Sequence, residues 1–195
     1  MAGHEITTTS SRIAYENRWM RVREDRIALA DGTPGLYGVV EKRDFVLVVA
    51  RDGDRVHLVE QYRYPIRQRQ WEFPQGLMEA GETDHAACAR RELREETGLE
   101  GRFASILYVS EFLQEGRHTV DVTARVEALN GEARLGSDPE AEEGSEPTLK
   151  EVRWVDTEEL KEIPLLPAPT RKRIMSDAAQ GWPSGEVYLG SGTDD

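Results

Sequence analysis

With 195 residues, the chain has room for one domain of ordinary size and a short appendage. Hydrophobic residues make up 38% and charged residues 32%, which is enough apolar matter for a packed core and excludes wholesale disorder. Acidic residues outnumber basic ones by 37 to 25, and the net charge of -12 repels a phosphate backbone and an anionic lipid surface, so neither long nucleic acid nor a membrane is an expected partner.

Residues 1–11 are polar and rich in Thr and Ser, and a flexible, frayed N-terminus is expected there. From Arg12 to Leu29, Ile13, Trp19, Met20, Val22, Ile27 and Leu29 alternate loosely with charges, which predicts strands, and Asp31-Gly32 and Pro34-Gly35 mark turns. The continuous apolar run Val46 to Val49, the turn at Asp52-Gly53 and the return through Val56, Leu58 and Val59 read as a β-hairpin. Further strands are predicted over 106–112, 120–126 and 152–155. Helices are predicted over 83–97, capped by Thr83 or Asp84, over 157–163, capped by Asp156 or Thr157, and over 169–180, capped by Thr170. Between Asn130 and Pro147 the composition turns to Gly, Ser, Asp and Glu, which predicts a mobile loop; 181–195 reads as a tail in which Trp182, Val187, Tyr188 and Leu189 are apolar enough to dock. Strands on both sides of one strong helix imply an α+β sandwich. The implied divisions are 1–11, an N-terminal strand region over 12–44, a main domain over 45–180 and the tail.

No run approaches the roughly 18 apolar residues of a membrane span, and Met1 to Arg12 carry no basic or apolar leader pattern. Cys88, the single cysteine, has no partner for an intrachain disulfide. A cytoplasmic protein is expected.

The chemistry concentrates in Trp71 to Leu99. At about 100° per residue, Ala86, Ala89 and Leu93 form one apolar stripe of the predicted helix. Glu92, Glu95 and Glu96 lie beside it at i, i+3 and i+4, near a helix C-terminus where the dipole disfavours negative charge. The arrangement costs stability, and carboxylates on successive turns coordinate a hard cation such as Mg²⁺, which bridges to substrate phosphates. Arg91 is one turn before Glu95, and the expected pair between them leaves Glu92 and Glu96 as the freer ligands. The alternative is a solvated helix face.

This stretch resembles the Nudix box, G-x5-E-x7-R-E-U-x-E-E-x-G-U with U a bulky aliphatic. Gly76, Glu82, Arg91, Glu92, Leu93, Glu95, Glu96, Gly98 and Leu99 occupy its fixed positions. Thr83 to Arg90 is eight residues where the pattern has seven, an extra residue to be absorbed in the turn or the first helical turn. The resemblance implies a loop–helix–loop against a small mixed sheet, a Nudix-type α/β/α sandwich with an N-terminal antiparallel strand extension. It also implies Mg²⁺ or Mn²⁺ held by Glu92, Glu95, Glu96 and the carbonyl of Gln75, a brace between Arg91 and Glu82, and hydrolysis of a nucleoside diphosphate linked to another moiety.

Leu58 to Ile66 followed by Trp71 to Gly76 is similar to ADP-ribose and nucleotide-sugar pyrophosphatases, over roughly residues 12–165. That likeness implies a pyrophosphate contact from Arg63, an aromatic stacked on the base from Trp19, and a homodimer. It also implies a general base from the loop before the last strand, here Glu143 or Glu146, although a box glutamate such as Glu95 serves equally. Arg63 as a surface strand charge and Trp19 as a core residue are the alternatives. The implied products are a nucleoside monophosphate and a sugar phosphate. Hydrolysis of dinucleoside polyphosphates or capped RNA, and sensing of a nucleotide sugar without turnover, are the competing functions.

Overall fold

The computed structural model describes residues 6–114, 117–130, 132–136, 148–166, 168–183, 185 and 187–192. The first three strands, β1 (Ile6–Glu16), β2 (Met20–Leu29) and β3 (Pro34–Lys42), form an antiparallel sheet of their own. β1 pairs from Ile6 with Leu29 onward, so an ordered strand reaches into the stretch expected to fray. Every residue of β1 is exposed.

The hairpin follows as expected, β4 (Phe45–Asp52) and β5 (Arg55–Arg63), with Gly53 at φ 61 in its turn. It pairs only at its closed end, Arg51 with Val56 and Asp52 with Arg55. Beyond that the two strands diverge. β6 (Gln68–Glu72) joins β5, β7 (Gln75–Leu77) joins the first residues of β4, and β8 (Glu100–Gln114) and β9 (Arg117–Asn130) extend the sheet on the other side of β4. β10 (Leu149–Asp156) pairs with β5, and β11 (Leu165–Leu166) runs parallel to β6. Residues 157–162 form a 3-10 turn rather than an α-helix, and α2 (Ala168–Gln180) is helical as expected. β12 (Val187–Gly192) runs parallel to β8, so the segment expected as a tail supplies an edge strand of the main sheet. Its short apolar set, Val187 and Leu189, is too sparse to announce a strand and gains its place by packing on the core beside Trp182.

β4 is buried on both faces, which is what a continuous apolar run means. Val46, Val48 and Ala50 pack with Cys88, Ala89 and Leu93 of α1 (His85–Thr97), whereas Leu47 and Val49 pack with Leu160, Leu165 and Ile174 on the α2 side. The result is a mixed sheet between two helices, with a separate antiparallel sheet at the N-terminus. α2 is tied down by the buried Tyr108 hydroxyl, which donates to Asp177 Oδ2 at 2.7 Å; Arg173, one turn earlier on α2, donates its Nε to the same oxygen at 2.9 Å. Among the described residues no helix is long and apolar enough to cross a membrane.

His57 on β5 is fully buried edge-on against Trp154, at 4.9 Å between ring centroids, and neither ring nitrogen has a hydrogen-bond partner among the described residues. Burial pushes its pKa down from 6.5 to about 4. The folded protein therefore keeps the imidazole neutral where the unfolded chain protonates it. The sign follows: stability is intact above about pH 6.5 and falls as the pH drops from there towards 4, by up to about 3 kcal/mol from this one group. Urea unfolding at pH 7.5 and pH 5 is expected to show this loss, and His57→Leu is expected to shrink it; an equal loss in that variant would assign the acid sensitivity elsewhere.

Candidate active site

Helix α1 is the element on which the candidate site is built, and its ends are closed locally. Asp84 Oδ1 accepts from Ala86 N at 2.9 Å and Ala87 N at 3.1 Å, as a side-chain N-cap does, and Gly98 at φ 69 takes the left-handed position after the last turn. The helix is regular from His85, so the extra residue of the box lies in the entry turn. There Glu82 N donates to Glu79 O and Glu79 N donates to Glu82 Oε2.

Glu92 and Glu96 are 3% and 4% exposed, one turn apart on the helix face under β7. Gly76 stands over Glu92 so closely that a Cβ there would lie 2.0 Å from its Cδ. Gln75 N donates to Glu96 Oε2 at 3.2 Å. Glu95 stands apart from this buried pair, its side chain 30% exposed.

Arg91 reaches both along its own helix and across to the loop. Nη1 donates to Glu92 Oε1 at 2.5 Å and to Glu95 Oε2 at 3.3 Å; Nη2 donates to Leu77 O at 3.0 Å and to Glu82 Oε2 at 3.4 Å. The expected pair with Glu95 therefore forms, but Glu92 is the nearer partner and is not the freer ligand that the spacing implied. Burial opposes the charge on Arg91, and the pull of Glu92 and Glu82 overrides it, so its pKa stands above the ordinary guanidinium value. Cys88, one turn before Glu92 on the same helix, is buried, and desolvation, reinforced by Glu92, pushes its thiol up to about 12; it is a neutral packing group.

Arg63, at the end of β5, is half-buried and bidentate. Nε donates to Glu72 Oε1 at 2.6 Å and Nη2 to Glu72 Oε2, while Gln75 Nε2 donates to Glu72 Oε2 at 2.7 Å. A continuous chain of contacts therefore runs from Arg63 through Glu72 and Gln75 to Glu96. Glu72, 4% exposed, was not among the sequence candidates. Its signal was there: a carboxylate between Trp71 and Phe73 in a run that otherwise reads as core. The segment 132–136 is a second omission. Arg134 N and Gly136 N donate at 2.9 Å to the carbonyls of Thr97 and Glu96, closing the open end of α1. Trp19 lies in the turn between β1 and β2, half-buried and in neither core cluster, with the Arg18 guanidinium 4.2 Å over its ring. Glu143 and Glu146 fall outside the described residues.

Among the described residues, no three His, Cys, Asp or Glu side chains stand ready-made around one metal-sized point. The residues fit a hard divalent ion nonetheless. The donors are all oxygens, two carboxylates are desolvated side by side under a glycine that leaves no room for a methyl group, and Arg91 offsets charge at Glu92.

The chain matches the model of the NUDIX domain over residues 41–177 and that of the nucleoside diphosphate sugar hydrolase N-terminal domain over residues 6–40. It is 36% identical over 143 residues to an ADP-ribose pyrophosphatase of Mycobacterium tuberculosis, covering 72% of this chain and 67% of that protein. Over 97 residues, 49% of this chain and 52% of the relative, it is 33% identical to a methanol dehydrogenase activator of Bacillus methanolicus. A crystal structure of an ADP compounds hydrolase superposes with a TM-score of 0.63 at 19% identity, covering 93% of this chain and 98% of that one, which is a likeness of fold.

Gly76→Ala is expected to force Glu92 aside, lowering stability by about 1–3 kcal/mol and weakening Mn²⁺ binding. Gly38→Ala, where a Cβ meets nothing within 4 Å, is the control. Thermal unfolding with and without Mn²⁺ reads both effects, and a Gly76→Ala protein matching the control would show that Glu92 has room to spare.

Proposed function

The chain belongs to the Nudix hydrolase family, and from that premise we propose that it hydrolyses the pyrophosphate bond of ADP-ribose or a related nucleoside diphosphate sugar, giving a nucleoside monophosphate and a sugar phosphate. The observation that carries the reading is the buried pair Glu92 and Glu96 beneath Gly76, joined through Gln75 and Glu72 to Arg63. The match of residues 6–40 to a nucleoside diphosphate sugar hydrolase N-terminal domain supports the substrate class, as does the name of the mycobacterial relative.

Glu92, Glu95 and Glu96, with the carbonyl of Gln75, would hold Mg²⁺ or Mn²⁺. When bound, the ion supplies charge neutralisation at the pyrophosphate and a lowered pKa for water. The chain's own residues do the rest. Arg63, held by Glu72, is the guanidinium that would meet a phosphoryl oxygen, and the planar fork suits that target. Arg91 and Glu82 keep the loop from collapsing onto the carboxylates. Glu95, the most exposed of the three, is the box residue placed to accept a proton from attacking water; Glu143 and Glu146 are the loop candidates for the same task. Trp19 offers a large ring for the base.

The N-terminal sheet carries exposed Tyr15, Leu36 and Val40, which the strand registers put on one face. We assign this face to a homodimer contact, since isolated apolar residues are common on surfaces but a sheet of them is a site of association.

A hydrolysis panel with Mg²⁺ and Mn²⁺ over ADP-ribose, other nucleotide sugars, dinucleoside polyphosphates and a capped RNA oligonucleotide tests the reading. ADP-ribose or a nucleotide sugar is expected to give the highest kcat/KM, and Glu96→Gln to lower kcat by at least about 10²-fold. Tight nucleotide-sugar binding with no turnover would make the protein a sensor. A preference for dinucleoside polyphosphates or capped RNA would move it to that group of hydrolases.

A further inference from the structure

We propose that Arg43 is a positioning residue for substrate selection: its guanidinium ties the turn that carries Trp19 to the loop beyond Gly76, and so sets the reach between a stacked base and the pyrophosphate. The inference rests on the reading of Trp19 as the base platform. Arg43 lies in the two-residue connection between β3 and β4, where the N-terminal sheet passes into the main one. Its Nη1 donates to the carbonyl of Met78 at 2.8 Å and its Nη2 to the carbonyl of Arg18 at 2.9 Å. Among the described residues it makes no ion pair. A fork of two terminal nitrogens spent on two neutral carbonyls, from elements 60 residues apart in sequence, is a distance constraint more than a charge interaction.

Both ends of the constraint are firm. Met78 is 3% exposed in the α1-side core, two residues beyond Gly76, and its N–H donates at 2.9 Å to the carbonyl of Asp44, the neighbour of Arg43. At the other end the Asn17 side-chain oxygen accepts from both Trp19 N and Met20 N at 2.9 Å, an Asx turn that fixes the backbone bearing the indole. Each end is rigid within itself, and Arg43 is a direct bond between them. A lysine has one point of charge where arginine has a planar fork, and it reaches one carbonyl at a time. Holding Trp19 in place before substrate arrives saves the ordering cost at binding, so the effect falls on KM and not on the chemical step.

The test is a double-mutant cycle with ADP-ribose, reading KM and kcat separately, with thermal unfolding as the folding check. Trp19→Ala and Arg43→Ala are each expected to raise KM by about fivefold or more with kcat within about twofold, and the double variant to be no worse than Trp19→Ala alone. Arg43→Lys is expected to resemble Arg43→Ala. Three results would overturn the positioning role: multiplicative effects in the double variant, an unchanged KM in Arg43→Ala where Trp19→Ala raises it, or full rescue by lysine. An unchanged KM in Trp19→Ala would instead remove the platform on which the role rests, a failure distinct from the other three.

Discussion

Two carboxylates desolvated on one helix face set the terms for everything around them. Glu92 and Glu96 are nearly sealed under β7, near the end of α1 where the dipole already disfavours negative charge. Such a pair persists in a folded protein only with donors and countercharge at hand. Arg91 reaches across to Glu92, the Gln75 amide points at Glu96, and Glu82 holds the loop that lets Arg91 do so. Gly76 is required because the Glu92 carboxyl occupies the volume a side chain would need. The loop, the turn before α1 and the short strand β7 are best understood as the housing of this charge.

The sheet makes the housing possible. A hairpin that zipped along its full length would leave β4 no free edge, but β4 and β5 separate after two pairs. β7 then pairs with β4 over α1, and β6 pairs with β5 and carries Glu72. The divergence brings Arg63, at the far end of β5, onto Glu72 and through Gln75 to the helix carboxylates. Apolar packing on both faces of β4 supplies the stiffness, with α1 on one side and α2 on the other.

Much of this was legible in the sequence, for identifiable reasons. Helix α1 announces itself by period and by a cap at Thr83 or Asp84, and the hairpin by Gly53 between two apolar runs. These are local signals. What the sequence hid depends on tertiary pairing. β12 is too short and glycine-rich to stand as a strand without β8 beside it, and the exposed first half of β1 has no periodicity that marks order. Helical spacing matched Arg91 with Glu95, a pair that forms, but not its bonds to Glu92, the Leu77 carbonyl and Glu82. Arg43 and Gly136 act through partners in other elements, so nothing next to them in the chain revealed them, and Glu72 showed only as a carboxylate between two aromatic residues.

The most direct measurement of the central claim is the anomalous scattering of a crystal soaked with Mn²⁺ and a non-hydrolysable ADP-ribose analogue. The account expects the strongest peak to be bonded to the Glu92 and Glu96 carboxylates and to the bridging phosphates. A peak held by other side chains, with those two carboxylates still closed under Gly76 and touching no ion, would contradict it.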